Sequence, residues 1–143
     1  MPMKVQSPTL IATRFLERMW NQRDRLAIVE FRSTSAVSNG LGQRELTSAD
    51  AYAKFIERAF VAFPKTKVSV LDSVESGHRV ALFVRWEAST KHGGSFVADG
   101  VIHASVEGGK LVSAENLFNL GAICAQLGAP PYGTIAELIE HLG

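Results

Sequence analysis

Two carboxylates and one arginine carry most of the chemistry that this sequence offers. Glu115 lies in an alternating run from Leu111 to Leu120, and Arg85 and Glu87 sit two residues apart in another from Arg79 to Thr90. Successive side chains of an extended chain point to opposite faces, so Arg85 and Glu87 share one. A carboxylate turned into an enclosed site is costly unless paired or protonated. Partial burial would raise the pKa of Glu115 toward the range of a general base, and a neighbouring arginine would lower it again. Glu115 is therefore the candidate acid/base, with Arg85 and Glu87 beside it. Asn39 and Asn119 each offer a donor and an acceptor, suited to orienting a carbonyl or hydroxyl.

Whether these groups meet depends on the turns. A two-residue loop at Gly108-Gly109 pairs Ile102 with Glu115, Gly100 with Leu117 and Ala98 with Asn119. The same rule at Gly93-Gly94 sets Arg85 opposite Ile102 and Glu87 opposite Gly100. Arg85, Ile102 and Glu115 then form one row, with the Arg85 and Glu115 backbones about 10 Å apart. Ala98, Gly100 and Ala104 leave space around them, as in the floor of a pocket. The same residues also admit a buried Arg85–Glu115 ion pair that only holds the sheet's curvature, with Glu87 at a solvated rim. A single-residue bulge would turn Glu115 outward and bring Asn116 in.

Phe15, Met19, Tyr52, Phe83 and Ile102 are the expected ligand-binding lining. The opposite face would carry Val80, Leu82, Val84, Trp86, Val97, Val101, Val112 and Phe118. That is too apolar to face water, and so predicts a homodimer. His103 falls on that outer face with Val101 and Asp99, where a lone strand histidine reads as a surface or interface residue. His78, His92 and His141 fall in turns or in the tail. No pair of histidines or carboxylates has metal-ligand spacing, so no metal is expected.

Helices must hold this sheet. Ser7-Pro8 is a capping hydroxyl followed by proline at the first helical position. Ile11, Ala12, Phe15, Leu16, Met19 and Trp20 then form one apolar face. Asn21 to Asp24 breaks this helix, Leu26 to Phe31 reads as a second, and Ser35 to Asn39 as a brief strand. Thr47 or Ser48 caps a third helix, in which Tyr52, Phe55, Ile56, Ala59, Phe60 and Phe63 recur at helical spacing until Pro64. Lys67 to Val74 is a further strand. Leu120 to Leu127 is a short helix stopped at Gly128, residues 129–133 are a linker, and Thr134 to Leu142 is a capped amphipathic helix. Helices followed by a run of strands predict an α+β fold, a curved, mostly antiparallel sheet wrapped round N-terminal helices into a cone-shaped barrel.

The totals narrow the partners. The chain has 143 residues, 46% of them hydrophobic, and a net charge of +1. That suits a single domain with a sizeable core and disfavours nucleic acid or an anionic membrane as partner. The apolar runs are too short to span a membrane, and Met1 to Ser7 lacks the apolar core of a secretory signal. A lone Cys124, read as a small buried helix residue, fits a reducing cytoplasm.

Met19-Trp20-Asn21, Ala62-Phe63-Pro64, Gly77 to Trp86, and Glu107 to Val112 running on to Gln126-Leu127-Gly128 resemble the SnoaL-like polyketide cyclases. These belong to the nuclear-transport-factor-like superfamily of cone-shaped α+β barrels. The resemblance covers about residues 8 to 128, within a domain expected over 1–128; the tail, 129–143, is expected as a linker and a C-terminal helix packing on that domain, where it could cap the cone mouth, extend the dimer or lie outside. It implies a cofactor-independent cyclase, isomerase or epoxide hydrolase that acts on a small, largely apolar oxygenated molecule, or a binding domain that has lost the chemistry. The cyclases carry a final strand of the form Gly-Lys-Ile-Val, two or three residues, Trp, three residues, Asp. Counting from Gly109-Lys110, Glu115 takes the Trp position and Asn119 that of the acid/base Asp. Asparagine cannot exchange a proton near neutral pH. The ketosteroid isomerase base would fall near Asn39 and its oxyanion-hole Asp near Ile102, so that chemistry is not inherited. Limonene epoxide hydrolase has an Arg-x-Asp pair and a second carboxylate, which Arg85, Glu87 and Glu115 resemble, with Asn39 helping to hold water.

Overall fold

The computed structural model describes residues 6–143. Helix α1 (Pro8–Leu16) starts at Ser7, whose side chain accepts the Leu10 amide, and continues into a widened π turn over Glu17–Asn21. That extra residue leaves both Met19 and Trp20 buried. At its end the Asn21 side chain holds both backbone groups of Val68, accepting from its N–H at 2.7 Å and donating to its C=O at 2.8 Å. The helical layer is thereby fastened to an edge of the sheet. Helix α2 (Leu26–Phe31) leads directly into strand β1 (Arg32–Asn39), which begins three residues before the predicted strand. Helix α3 (Ala49–Ala62) is capped by Ser48 and buries Tyr52, Phe55, Ile56, Ala59 and Ala62 on one side.

Strands β2 (Lys65–Ser76), β3 (Arg79–Ser89), β4 (Ser95–Glu107) and β5 (Lys110–Phe118) form an antiparallel meander. Strand β1 adds in parallel to β5, giving the order β1-β5-β4-β3-β2 and a mixed, open sheet. The architecture is thus the expected α+β fold, a curved sheet with helices on its concave side. Helix α4 (Leu120–Leu127) ends at a left-handed Gly128. Helix α5 (Ile135–Leu142) returns to the body, burying Ile135, Leu138 and Ile139, and the Ala136 amide donates to the Leu41 carbonyl at 2.8 Å.

Two local details reset the register of the sheet. The β3–β4 connection is not a two-residue turn. Ser89 pairs with Ser95, so Thr90 to Gly94 form a five-residue loop, closed by the Thr90 amide on the Gly94 carbonyl at 2.7 Å. Arg85 therefore faces Asp99 instead of Ile102. The β4–β5 turn is the expected tight one, with Gly108 and Gly109 both at positive φ, but the ladder slips immediately afterwards. Val106 pairs with Leu111 and Ser105 with Ser113, which leaves Val112 as an extra residue. Side-chain direction has a period of two, so each odd displacement exchanges the faces.

The concave face consequently carries Val80, Leu82, Val84 and Trp86 of β3, Phe96, Ala98, Ile102 and Ala104 of β4, and Leu111 of β5, all buried. The expectation that Val80, Leu82, Val84, Trp86 and Phe118 face outward is overturned by these two shifts. Trp86 instead forms the centre of an aromatic cluster, edge-on to Trp20, Phe63, Phe96 and Phe118 at centroid distances of 4.9–6.0 Å.

Candidate functional site

Between the concave face and helices α1, α3 and α5 lies a narrow cavity. It is tight and open at one side: the centre of a water-sized sphere can move through only about 50 Å3 of it. Its wall is mostly apolar: Phe15, Leu16 and Trp20 from the first helix, Tyr52 and Phe55 from α3, Leu82, Trp86, Ile102 and Phe118 from the sheet, and Ile135 from α5. Among the described residues, no aspartate, glutamate or histidine lines it. Its polar side chains are Arg32, Ser38, Tyr52 and Asn116, with Trp20 and Trp86 contributing indoles.

Arg32 is the first residue of β1, and with Ala36 and Ser38 it points inward, leaving only 6% of its surface exposed. Its Nη1 donates to Ser38 Oγ at 2.8 Å, and its guanidinium carbon lies 4.2 Å from the centre of the Tyr52 ring. Its Nη2 is buried and has no hydrogen-bond partner among the described residues. Burial pushes the Arg32 pKa below its ordinary value, with Tyr52 partly opposing this. Burial likewise raises the Tyr52 phenol, against smaller opposing effects of Arg32 and of a hydrogen bond with Trp20, so the phenol stays neutral at ordinary pH. Asn116 donates its amide to the Asn39 carbonyl at 2.9 Å, which leaves its own carbonyl oxygen free to accept. The Trp86 indole is satisfied by Thr66 Oγ1 at 2.8 Å.

Of the residues expected in the site, Phe15, Tyr52 and Ile102 line this cavity. Met19 is fully buried in the adjoining core but is not part of the wall. The others lie elsewhere. Glu115 is exposed on the outer face, paired with Asn39 on one side and His103 on the other. Arg85 forms a two-pronged ion pair with Asp99, Nε to Oδ1 at 2.8 Å and Nη2 to Oδ2 at 3.1 Å, which lowers the Asp99 carboxyl and raises the guanidinium. Glu87 and Phe83 share that exposed face. Asn119 caps α4, its side chain accepting the Ala122 amide at 3.0 Å. Asn39 contributes its backbone carbonyl to Asn116 and is not a wall residue. The row of Arg85, Ile102 and Glu115 therefore does not form: the five-residue loop removes Arg85 and the Val112 bulge removes Glu115.

Arg32 lies three residues before the strand expected from the sequence at Ser35, outside any stretch that pointed to the site. Counting back in twos from Ser38 gives Ala36 and then Thr34, which is exposed because the ladder shifts between Arg32 and Val37, so strand alternation alone does not reveal Arg32. His103 lies outward, as expected, and no group of three or more potential metal ligands occurs among the described residues.

The model of the SnoaL-like domain matches residues 12–114, most of the chain. The chain belongs to the SnoaL-like family. Solved structures bear the fold out at low identity. A proposed SnoaL-like polyketide cyclase from Jannaschia sp. CCS1 is 16% identical, with a TM-score of 0.79 over 92% of this chain and 99% of its own. IdmH, a proposed polyketide cyclase from Streptomyces antibioticus, is 18% identical with a TM-score of 0.76, over 87% of this chain and 100% of its own. A ketosteroid-isomerase-like protein from Catenulispora acidiphila, solved with trimethylamine, is 16% identical with a TM-score of 0.77, over 88% and 97%. No curated protein matches the chain. The SnoaL-like model ends before Asn116, Phe118 and Ile135, so part of the cavity wall lies beyond the matched segment. No helix among the described residues is long and apolar enough to cross a membrane.

Proposed function

We propose that this SnoaL-like protein binds a small, largely apolar oxygenated molecule in the cavity, with Phe15, Tyr52 and Ile102 against its carbon skeleton and the polar groups of Arg32, Ser38 and Asn116 toward its oxygen. The observation that supports this reading is a largely apolar, partly enclosed wall interrupted by a few polar side chains, the usual composition of a small-molecule site. Binding fits the geometry better than proton transfer by a pocket carboxylate, because Glu115 and Glu87 are exposed on the other side of the sheet. Cyclisation or isomerisation in this cavity would have to rely on donors: Tyr52 as a neutral acid and Arg32 as a fixed positive charge.

Trp20 and Trp86 line the cavity, so tryptophan emission reports occupancy. Titration with primary amides of increasing size, benzamide, cinnamamide and 2-naphthamide, should quench it saturably with at least one of them. Glu115→Gln should leave that affinity within about twofold, since surface substitutions away from a site rarely matter. A loss of binding on that substitution would restore the carboxylate to the site. No saturable response to these amides, to the corresponding carboxylates or to 4-nitrophenol would remove the ligand-binding reading.

The partner proposed for the outer face is a second copy of the chain, in the cytoplasm. Phe83, Val101 and Leu117 lie in one row across β3, β4 and β5, with Phe83 40% and Leu117 63% exposed. The neighbouring charges, Arg85 and Asp99, already neutralise each other, so two such faces can meet without like-charge repulsion. Leu117→Asp should convert a dimer to a monomer in sedimentation velocity. A wild-type protein that is monomeric at micromolar concentration would rule the dimer out.

A further inference from the structure

The unpartnered nitrogen of Arg32 narrows the ligand class, on the footing that the cavity binds a small molecule at all. A guanidinium keeps its charge in proteins, and taking it out of water without a counter-charge is costly. Here the compensation supplied by the protein is partial. It consists of one hydroxyl, Ser38, at 2.8 Å and the face of Tyr52 at 4.2 Å. No carboxylate lines the cavity among the described residues, and Nη2 remains buried without a partner. Buried side-chain polar atoms are nearly always satisfied, so an orphaned donor on the wall of an otherwise apolar hollow points to an acceptor that arrives from outside. The acceptor that best matches a buried guanidinium is an anionic oxygen, since charge-assisted bonds to it are about twice as strong as neutral ones.

We infer that the ligand is an apolar acid carrying one anionic oxygen, a carboxylate or an ionised phenol or enol, seated on Arg32 Nη2. Tyr52 from α3 and Asn116 from β5 line the same cavity and can serve a second oxygen, Tyr52 as donor and Asn116 as acceptor of a hydroxyl. The carbon skeleton lies against Phe15, Ile102 and Phe118.

The test compares acids with their uncharged isosteres on the intact protein. Benzoate, cinnamate and 2-naphthoate are titrated against the corresponding primary amides by tryptophan quenching. The acid of the size that fits should bind about tenfold or more tighter than its amide. In parallel, 4-nitrophenol is added below its own pKa, where the absorption band of the phenolate would reveal that the protein takes up the ionised form. Binding of the carboxylates alone assigns a carboxylate ligand, and binding of the phenolate alone or in addition assigns an ionised phenol or enol. Arg32→Met keeps roughly the volume, removes the charge and should bring the acid-to-amide ratio down to about one, the acid losing more affinity than the amide. If that variant does not fold, the acid-to-amide ratio in the wild type still decides. Amides that bind as tightly as acids, together with 4-nitrophenol held in its neutral form, would overturn the anionic ligand and leave the binding reading standing. Silence from every probe would overturn both.

Discussion

Gly40→Ala is expected to be among the most damaging single substitutions in the chain. Gly40 follows β1 with φ at +85°, a region that costs any residue with a Cβ, and here the conformation is compounded by crowding. An added Cβ would lie on the carbonyl oxygen of Asn116, with that residue's carbonyl carbon at 3.0 Å and its nitrogen at 3.2 Å. These are backbone atoms of a paired strand, so they cannot yield as a flexible side chain would. Relief requires β1 to move away from β5, which breaks the hydrogen bond that the Asn116 side chain donates to the Asn39 carbonyl and pulls Arg32 and Ser38 away from the cavity. We expect a loss of about 3 kcal/mol or more, read as a lowered urea midpoint. Gly108→Ala is the control. It also has positive φ, at +57°, but open space around it, so it should cost only about 1–2 kcal/mol. Equal costs at the two positions would show that conformation alone, and not the approach of β1 to β5, makes Gly40 necessary.

The second large effect is at Trp86. Its ring meets four other aromatic rings edge-on and carries one side of the cavity, while Thr66 satisfies its indole nitrogen. Truncation to alanine removes a large buried area and leaves a void that rigid aromatic neighbours cannot fill, so a loss of about 3–5 kcal/mol is expected. Trp86→Phe retains most of the ring contact and should cost substantially less. If Trp86→Ala melts within a few degrees of the wild type, Trp86 is not at the centre of the core and the assignment of faces in β3 is wrong.

That assignment is where reading from sequence alone reached its limit. The helices were legible because their signals are local: Ser7 and Pro8 at one start, Ser48 at another, Pro64 and Gly128 at the ends, and an unbroken apolar spacing from Tyr52 to Phe63. The four-strand meander was legible for the same reason, and β4 was even given its correct inner face. The faces of β3 and β5 were not, because they depend on how many residues a connection consumes. Glycine at Gly93-Gly94 permits a tight turn but does not require one. Thr90 instead closes a longer loop through both its backbone and its hydroxyl, which accepts the Gly94 amide at 3.1 Å. The slip at Val112 has an energetic sense that a count of residues does not show. It keeps the Glu115 carboxylate in water and turns the Phe118 ring against Trp86. The alternative ladder would bury the acid and expose the ring. A carboxylate is expensive to bury, and the fold resolves that expense by keeping Glu115 out of the cavity, against the expectation that it works there.

The extra residue at Val112 also bears on how roles are carried between members of the family. At identities of 16–18% the correspondence between two chains is drawn mainly by position along the strand. One unmatched residue in a hairpin sends every later column to the wrong side of the sheet while leaving the backbone trace almost superimposable. An acid in one homologue and an amide in another can then occupy the same column and never the same environment. Comparisons within such a family are sound only when drawn by which wall a side chain reaches.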